Sequence, residues 1–301
     1  MSFLPTLKQL QYLTALHIHG HFGRAAEACF VTQSTLSAGL RELEALLGTQ
    51  LVERSQRVVH FTPIGERVVA KAYEVLREAE GLAGLTRATD NPLSSDLRLG
   101  VIPTIAPFLL PRALPRVRAD WPELRLYLRE DMSGIACEAL ARGTLDAVLL
   151  ALPWDCGMVD TMPLFDDEFS LVFHPGDMID PPPTVRPDAI SDTHLLLLED
   201  GHCLKDQALA ACSRPELRAD PAARGTSLVT LVQMVAGRLG QTLLPQMAID
   251  AGILAGSGLI ARPLAGGAAR TIALAWRQGS PRATEFRLLG ESLLAGFTQK
   301  P

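Results

Sequence analysis

Cysteine is scarce in this chain. Cys29, Cys137, Cys156, Cys203 and Cys212 are the five in 301 residues, an odd and scattered set that excludes a disulfide-stapled scaffold. Long apolar runs are missing as well. The stretch 10–18 is interrupted by Gln11, Thr14 and His17, and nothing nears the roughly 18 residues of a membrane span. No membrane partner and no secretory leader are therefore expected. The chain should stay in the cytoplasm, where thiols are kept reduced, so any disulfide should be transient.

An excess of basic charge is also absent. The net charge is −5, so any surface for nucleic acid must be local. No Ser/His/Asp, Walker or metal-hydrolase pattern occurs. "GRLGQ" (237–241) holds two glycines three apart, too little for a dinucleotide fingerprint, and no cofactor is expected. His17, His19 and His21 alternate, but on a helix that spacing splays them apart. They read as capping or solvated residues, and no metal is expected.

What is present is an ordinary globular composition, 48% hydrophobic and 20% charged, long enough for two or three compact units. Leu7, Leu10, Leu13 and Leu16 recur at helical spacing until Gly20. "HFGRAAEACF" makes a short helix with Phe22, Ala26 and Cys29 inward. "VTQSTLSAGLRELEALLG" follows, with Thr32 as N-cap and Gly48 as C-cap. Two helices across so short a turn form a helix-turn-helix. At 100° per residue, Leu36, Gly39, Leu40 and Leu43 share one face of the second helix. Ser34, Ser37, Ala38 and Arg41 share the other, a small polar face that suits a DNA groove and equally an ordinary solvated surface. The hairpin "LVERSQRVVHFT" adds Arg54 and Arg57, as a wing would. Residues 1–62 carry Lys8, Arg24, Arg41, Arg54 and Arg57 against Glu27, Glu42, Glu44 and Glu53, a net of +1 that leaves −6 for the remainder.

Thr62 and Pro63 open a further helix. Its stripe Val69, Ala72, Leu76, Ala79 and Ala83 wants a partner, most simply the same helix of a second subunit, or else its own domain. "TRATDNPLSSD" (86–96) has linker composition. From Leu97 the pattern is α/β, with strands at "LRLGVI", "LRLYLRE", "LDAVLLAL", "EFSLVFH", "HLLLLED", "QTLLP" and "RTIALAW". Two small α/β lobes follow, with ligand sites expected at strand C-termini and in the cleft between them.

"EDGHCLKDQALAAC" (199–212) places Cys203 and Cys212 nine residues apart on a short helix. From the residues alone they are packing groups, a metal pair with His202, or a redox pair. Cys212 shares a face with Leu204 and Ala208, whereas Cys203 falls among Asp206, Gln207 and Ala210, a less core-like set. Cys29, Cys137 and Cys156 have no partner motif and read as structural.

Taken together, "RAAEACFVTQSTLSAGLRELEALLGTQLVER" followed by "FTPIGERV" resembles the LysR-type transcriptional regulators, and the likeness extends over the whole chain. "LEDGHCLKDQALAAC" and "RLGVIPTIAPFLLPRALP" are similar to that family's OxyR-type peroxide sensors, and "FRLLGESL" and "ARTIALAWRQGSP" agree. The resemblance implies a winged helix-turn-helix (1–62), a linker and dimerisation helix (63–92), and an α/β effector region shaped like a periplasmic binding protein. That region's lobe I would comprise 93–165 with 271–301, and lobe II would comprise 166–270. It implies Cys203 as the peroxide-reactive thiol and Cys212 as the resolving one, with Thr104, His202, Asp206 and Arg270 nearby. Ser133 stands where a threonine is usual. DNA contacts would come from Thr32, Gln33, Ser34, Ser37, Arg41 and Arg54. Implied partners are double-stranded DNA, a second or further copies of the chain as homodimer or homotetramer, RNA polymerase, hydrogen peroxide, and a reductant such as glutaredoxin or thioredoxin. The protein would not be an enzyme. The rival within the family answers to a small organic ligand in the cleft, with idle cysteines.

Peroxide requires a thiolate. The helix N-terminus at Cys203, with Arg270 and His202 if close, is expected to favour one. Nine residues of intact helix mean a rise of about 13.5 Å, whereas a disulfide holds Cα atoms within about 4.4–6.8 Å. Joining Cys203 to Cys212 therefore requires the helix to unwind.

Overall fold

Short polar side chains and glycines set the helix ends of the N-terminal unit. Helix α1 (Leu7–His19) begins with a reciprocal capping box between Thr6 and Gln9, and ends at Gly20, whose φ of 57° few other residues adopt. His21 caps α2 (Phe22–Ala28) by accepting from the amides of Gly23 and Arg24. Thr32 and Gly48 bound α3 (Gln33–Leu47) as the sequence predicts. The structure, a computed structural model, describes residues 4–53, 59–85, 91–177, 181–190, 195–211 and 224–298, with the backbone alone at 77–78 and 80–85. It falls into two units, Met1–Asp90 and Asn91–Pro301.

In the first unit the predicted face of α3 is the buried one, Leu36, Gly39, Leu40 and Leu43. It packs with Leu13 and Leu16 of α1. In α2 the fully buried residues are Ala25 and Ala26, while Phe22 and Cys29 are half-buried. Strands β1 (Val52–Glu53) and β2 (His60–Phe61) pair antiparallel as the base of the wing. The wing tip, with Arg54 and Arg57, lies outside the described residues. Thr62 opens α4 (Pro63–Leu85), its hydroxyl accepting from the Gly65 amide at 3.0 Å. The first half of the α4 stripe belongs to its own unit: Val69 and Ala72 are buried in this core, and Leu76 packs against it.

The second unit contains strands β3 (Asp96–Val101), β4 (Arg125–Glu130), β5 (Ala147–Leu152), β6 (Val159–Phe173), β7 (Leu195–Leu198), β8 (Arg224–Gly225), β9 (Gln241–Pro245), β10 (Ile260–Pro263) and β11 (Ala269–Arg277). Its helices are α5 (Ala106–Asp120), α6 (Ser133–Ala141), α7 (Cys203–Ala211), α8 (Leu228–Ala236), α9 (Gln246–Asp250) and α10 (Ala283–Thr298). Among the described residues these strands form one nine-stranded sheet, in the order β4-β3-β5-β11-β6-β9-β7-β8, with β10 on β6. Two parallel sets, β4-β3-β5 and β9-β7-β8, are bridged by the antiparallel β6 and β11. All four leucines of β7 are buried, as in a parallel strand covered on both faces.

Three features depart from the sequence reading. β6 begins at Val159, well before "EFSLVFH", because its first half carries Pro163 and half-exposed polar residues that hide the strand pattern. β8 and β10 are too short to leave one. Cys137 and Cys156, read as unpaired, are joined by a disulfide. The chain returns from β5 alongside α6, a proximity that a separation of nineteen positions conceals.

At Gly65 a Cβ would stand 2.1 Å from the carbonyl oxygen of Leu51. Backbone cannot yield there as a side chain could. Gly65→Ala is expected to destabilise the N-terminal unit by about 1–3 kcal/mol, measured as a lower denaturant midpoint at unchanged slope.

Candidate functional site: a buried cysteine between two helix starts

Thr104 follows β3, and Ser133 is the first residue of α6, just beyond β4. Ala151 lies near the end of β5, Cys203 opens α7 after β7, and Arg270 lies on β11. Strand ends in α/β sheets collect ligand-facing groups in this way. The turn into α7 depends on Gly201, which has φ 101°, and a Cβ there would lie 3.1 Å from Sδ of Met132. The loop entering α7 therefore packs on the loop entering α6, and Ser133 and Cys203 meet at two helix starts.

Arg270 is buried, and each arm of its guanidinium is used. Nε and Nη2 donate to Asp167 Oδ2, both at 3.0 Å. Nη1 donates to Thr104 Oγ1 at 2.9 Å and Nη2 to the Thr104 carbonyl at 3.0 Å. Asp167 is the direct cross-strand neighbour of Arg270, and its other oxygen accepts from the Met247 amide at 2.8 Å. With charges paired and lone pairs filled, the pair is tolerated without water.

Cys203 is only 1% exposed. Burial pushes its thiol up from the ordinary range. That outweighs the hydrogen bond with the Ser133 hydroxyl, the positive charge of Arg270, and backbone hydrogen bonds at Ala151 and Cys203 itself, all of which favour the thiolate. Two expectations are corrected here. Cys203 is a core position, and burial disfavours its thiolate. The helix start and the arginine are present, but Arg270 is already matched by Asp167, and the water a thiolate needs is excluded. His202 is buried too, and desolvation holds its pKa below the usual imidazole range, so it brings no positive charge at neutral pH. Asp206 is exposed.

Three contributors were not foreseen. Asp167 carries the arginine. The Ala151 backbone meets the thiol. Gln207, one turn after Cys203, is buried, and its Nε2 donates to the carbonyls of Ala151 (2.9 Å) and Pro153 (3.3 Å). Its Oε1 is buried with no hydrogen-bond partner among the described residues. The four-residue spacing from Cys203 was the available signal for Gln207. On the outside of α7, Asp200 accepts from Lys205 and, at 2.7 Å, from Arg224. The hydrogen bond from Lys205, then the two charges, hold its carboxyl below the usual carboxylate range. Cys212 lies outside the described residues, and α7 ends at Ala211.

In the first unit Thr32, Gln33, Ser34 and Arg41 are exposed on α3 or its cap, and Ser37 is half-buried. The Thr32 hydroxyl is engaged in capping, accepting from the Thr35 amide at 3.2 Å. Arg41 Nε donates back to the Ser37 carbonyl at 3.3 Å. Arg54 is outside the described residues.

A helix-turn-helix unit followed by an α/β unit with buried polar groups gathered at its strand ends is the organisation of a bacterial transcriptional regulator of known type. The chain belongs to the LysR family. Residues 7–66 match the bacterial regulatory helix-turn-helix protein of that family, and residues 90–298 match the LysR substrate binding domain. It is 42% identical over 293 residues to the HTH-type transcriptional regulator EstR of Acinetobacter baylyi, covering 96% of each chain. It is 38% identical over 290 residues to the DNA-binding transcriptional dual regulator OxyR of Escherichia coli K12, covering 96% of this chain and 95% of that one. Among solved structures, a cysteine variant of full-length OxyR from Pseudomonas aeruginosa aligns with TM-score 0.83 and 36% identity, over 99% of this chain and all of the other. A peroxide-bound cysteine variant of Corynebacterium glutamicum OxyR aligns at 0.63 with 34% identity, over 99% and 94%.

Two stability outcomes follow from the geometry. Asp167→Ala strands a buried guanidinium and is expected to cost about 3–5 kcal/mol of stability. Glu74→Ala, which breaks the exposed pair with Lys71, should cost under about 1 kcal/mol. Because burial disfavours the thiolate, alkylation of Cys203 should accelerate with rising pH and reach its midpoint above that of a free cysteine. Ser133→Ala removes a bond to the thiolate and should move that midpoint higher still, as followed by mass-resolved labelling.

Proposed function

We propose that this chain is a hydrogen-peroxide-responsive transcriptional regulator that signals through a reversible Cys203–Cys212 disulfide. The observation that carries the reading is a cysteine buried at the start of α7 among Ser133, Gln207 and the Thr104–Arg270 pair. The relatives named OxyR support it. The small fraction of Cys203 present as thiolate attacks peroxide: an S–O bond forms, the O–O bond breaks, and hydroxide leaves to be protonated to water. The sulfenic acid then condenses with the Cys212 thiol, releasing a second water.

Nine residues of helix would rise about 13.5 Å, too far for a disulfide, so condensation calls for the described helix, Cys203–Ala211, to unwind. The Gln207 bonds to Ala151 and Pro153 and the Asp200–Lys205 pair are then given up. This change, between lobes 93–165 with 271–301 and 166–270, is passed through the 63–92 linker helix and hinge to the DNA-binding heads. There Thr32, Gln33, Ser34, Ser37, Arg41 and Arg54 meet double-stranded DNA. His202 and Asp206 tune the segment that moves. The working species is a homodimer or homotetramer in the cytoplasm. It acts on RNA polymerase and is reset by a glutaredoxin- or thioredoxin-type reductant. Peroxide is consumed once per signal, without enzymatic turnover.

The test is thiol counting with peptide mapping, before and after near-stoichiometric hydrogen peroxide, on wild type and Cys203→Ser. Loss of two thiols with a linked 203–212 peptide, absent from the variant, is expected. A Cys203 that reacts no faster than Cys29 would sink the reading in favour of a small organic ligand in the cleft.

A further inference from the structure

The Cys137–Cys156 disulfide closes on the two segments that hold the Cys203 thiol. Cys137 lies one helical turn after Ser133 on α6, and the Ser133 hydroxyl favours the thiolate of Cys203. Cys156 lies five residues beyond Ala151, whose backbone bonds the same thiol. The Ala151 and Pro153 carbonyls also receive Gln207 from α7. Ser133 and Ala151 thus approach Cys203 from separate elements, α6 and the end of β5. The disulfide is a covalent strap between those elements, at the same end as the pocket. Cys137 is 8% exposed, while Cys156 is half-buried on the loop after β5, beside the exposed Gly157 and Met158. A small thiolate therefore reaches the strap from the Cys156 side.

We propose that Cys137 and Cys156 are a second redox couple, whose disulfide positions Ser133 and the Ala151–Pro153 segment around Cys203 and whose reduction slows the reaction of Cys203 with peroxide. This rests on the peroxide reading above. The chemistry is thiol–disulfide exchange. A low-molecular-weight thiolate attacks Cys156 Sγ, the bond to Cys137 breaks, and Cys137 leaves as a thiolate that takes up a proton. A second thiol then resolves the mixed disulfide. Two external thiols become one external disulfide, and the chain gains two thiols; an external disulfide reverses both steps. Cys137 and Cys156 are positioning residues. They act through the Ser133 hydroxyl and the Ala151 backbone, and displacements of about 1 Å in such groups alter rates by up to about a hundredfold.

The experiment uses the full chain carrying Cys212→Ser, so that oxidation stops at the sulfenic acid. The protein is poised in thiol/disulfide buffers with the couple oxidised or reduced, as verified by peptide mapping. Hydrogen peroxide is added, and the Cys203 sulfenic acid is trapped with a carbon nucleophile and timed by mass spectrometry. With the couple oxidised, trapping should be about tenfold faster, and reduction should raise the pH midpoint of Cys203 alkylation, because the Ser133 hydrogen bond loosens. Reoxidation of the couple should restore both values. Cys137→Ser/Cys156→Ser should behave as the reduced couple in every buffer. Equal rates and midpoints in the two states of the unsubstituted Cys137–Cys156 couple would overturn the inference while leaving peroxide sensing in place, and that comparison needs no substitution at either cysteine of the couple. A double variant as fast as the oxidised couple would overturn it too. A Cys203 inert to peroxide in all states would remove both readings together.

Discussion

Arg270 and Asp167 face one another across β11 and β6 with water excluded, and the site is arranged around that fact. A guanidinium in such a place must have its donors filled. It therefore fixes the Thr104 loop as well as the carboxylate, while the carboxylate fixes the first turn of α9 through Met247. The two long strands that bridge the parallel halves of the sheet are pinned together beside the pocket. The same pairing mutes the arginine's field at Cys203. An unpaired Arg270 would draw out the thiolate strongly. Matched by Asp167, it offsets only part of the cost of burial.

Helix α7 is held by three unlike contacts. Leu204, Ala208 and Leu209 are buried in the core, Gln207 reaches the end of β5, and Asp200 collects Lys205 and Arg224 at the surface. The apolar contacts are insensitive to oxidation state. The Gln207 bonds depend on α7 remaining helical through that turn.

Local rules made the first unit legible. Thr32, Gly48, Gly20 and the Leu36–Gly39–Leu40–Leu43 face act within one or two turns of chain, and the structure uses them as spacing and capping dictate. The second unit was legible as alternating strands and helices, and the family likeness pointed to Thr104, Ser133, Cys203 and Arg270, which do converge. What escaped was tertiary. The helical wheel set Cys203 beside Gln207 and so made it less core-like. Yet Gln207 is itself buried, because the carbonyls of Ala151 and Pro153 satisfy its amide. Asp167 precedes "EFSLVFH", where the sequence places the strand, so its position opposite Arg270 was not legible. Nothing near Cys137 or Cys156 announces the other, since their meeting depends on how α6 lies against β5.

The enclosure of Cys203 also decides which oxidants it can meet. A thiol that is 1% exposed is a poor target for bulky electrophiles, whatever their intrinsic reactivity, since they cannot reach the sulfur. Small reagents are favoured there over large ones, a thiol-bearing tripeptide among the latter. Discrimination then rests on molecular size before it rests on nucleophilicity. The same wall shields the sulfur from thiol reductants in the fold described.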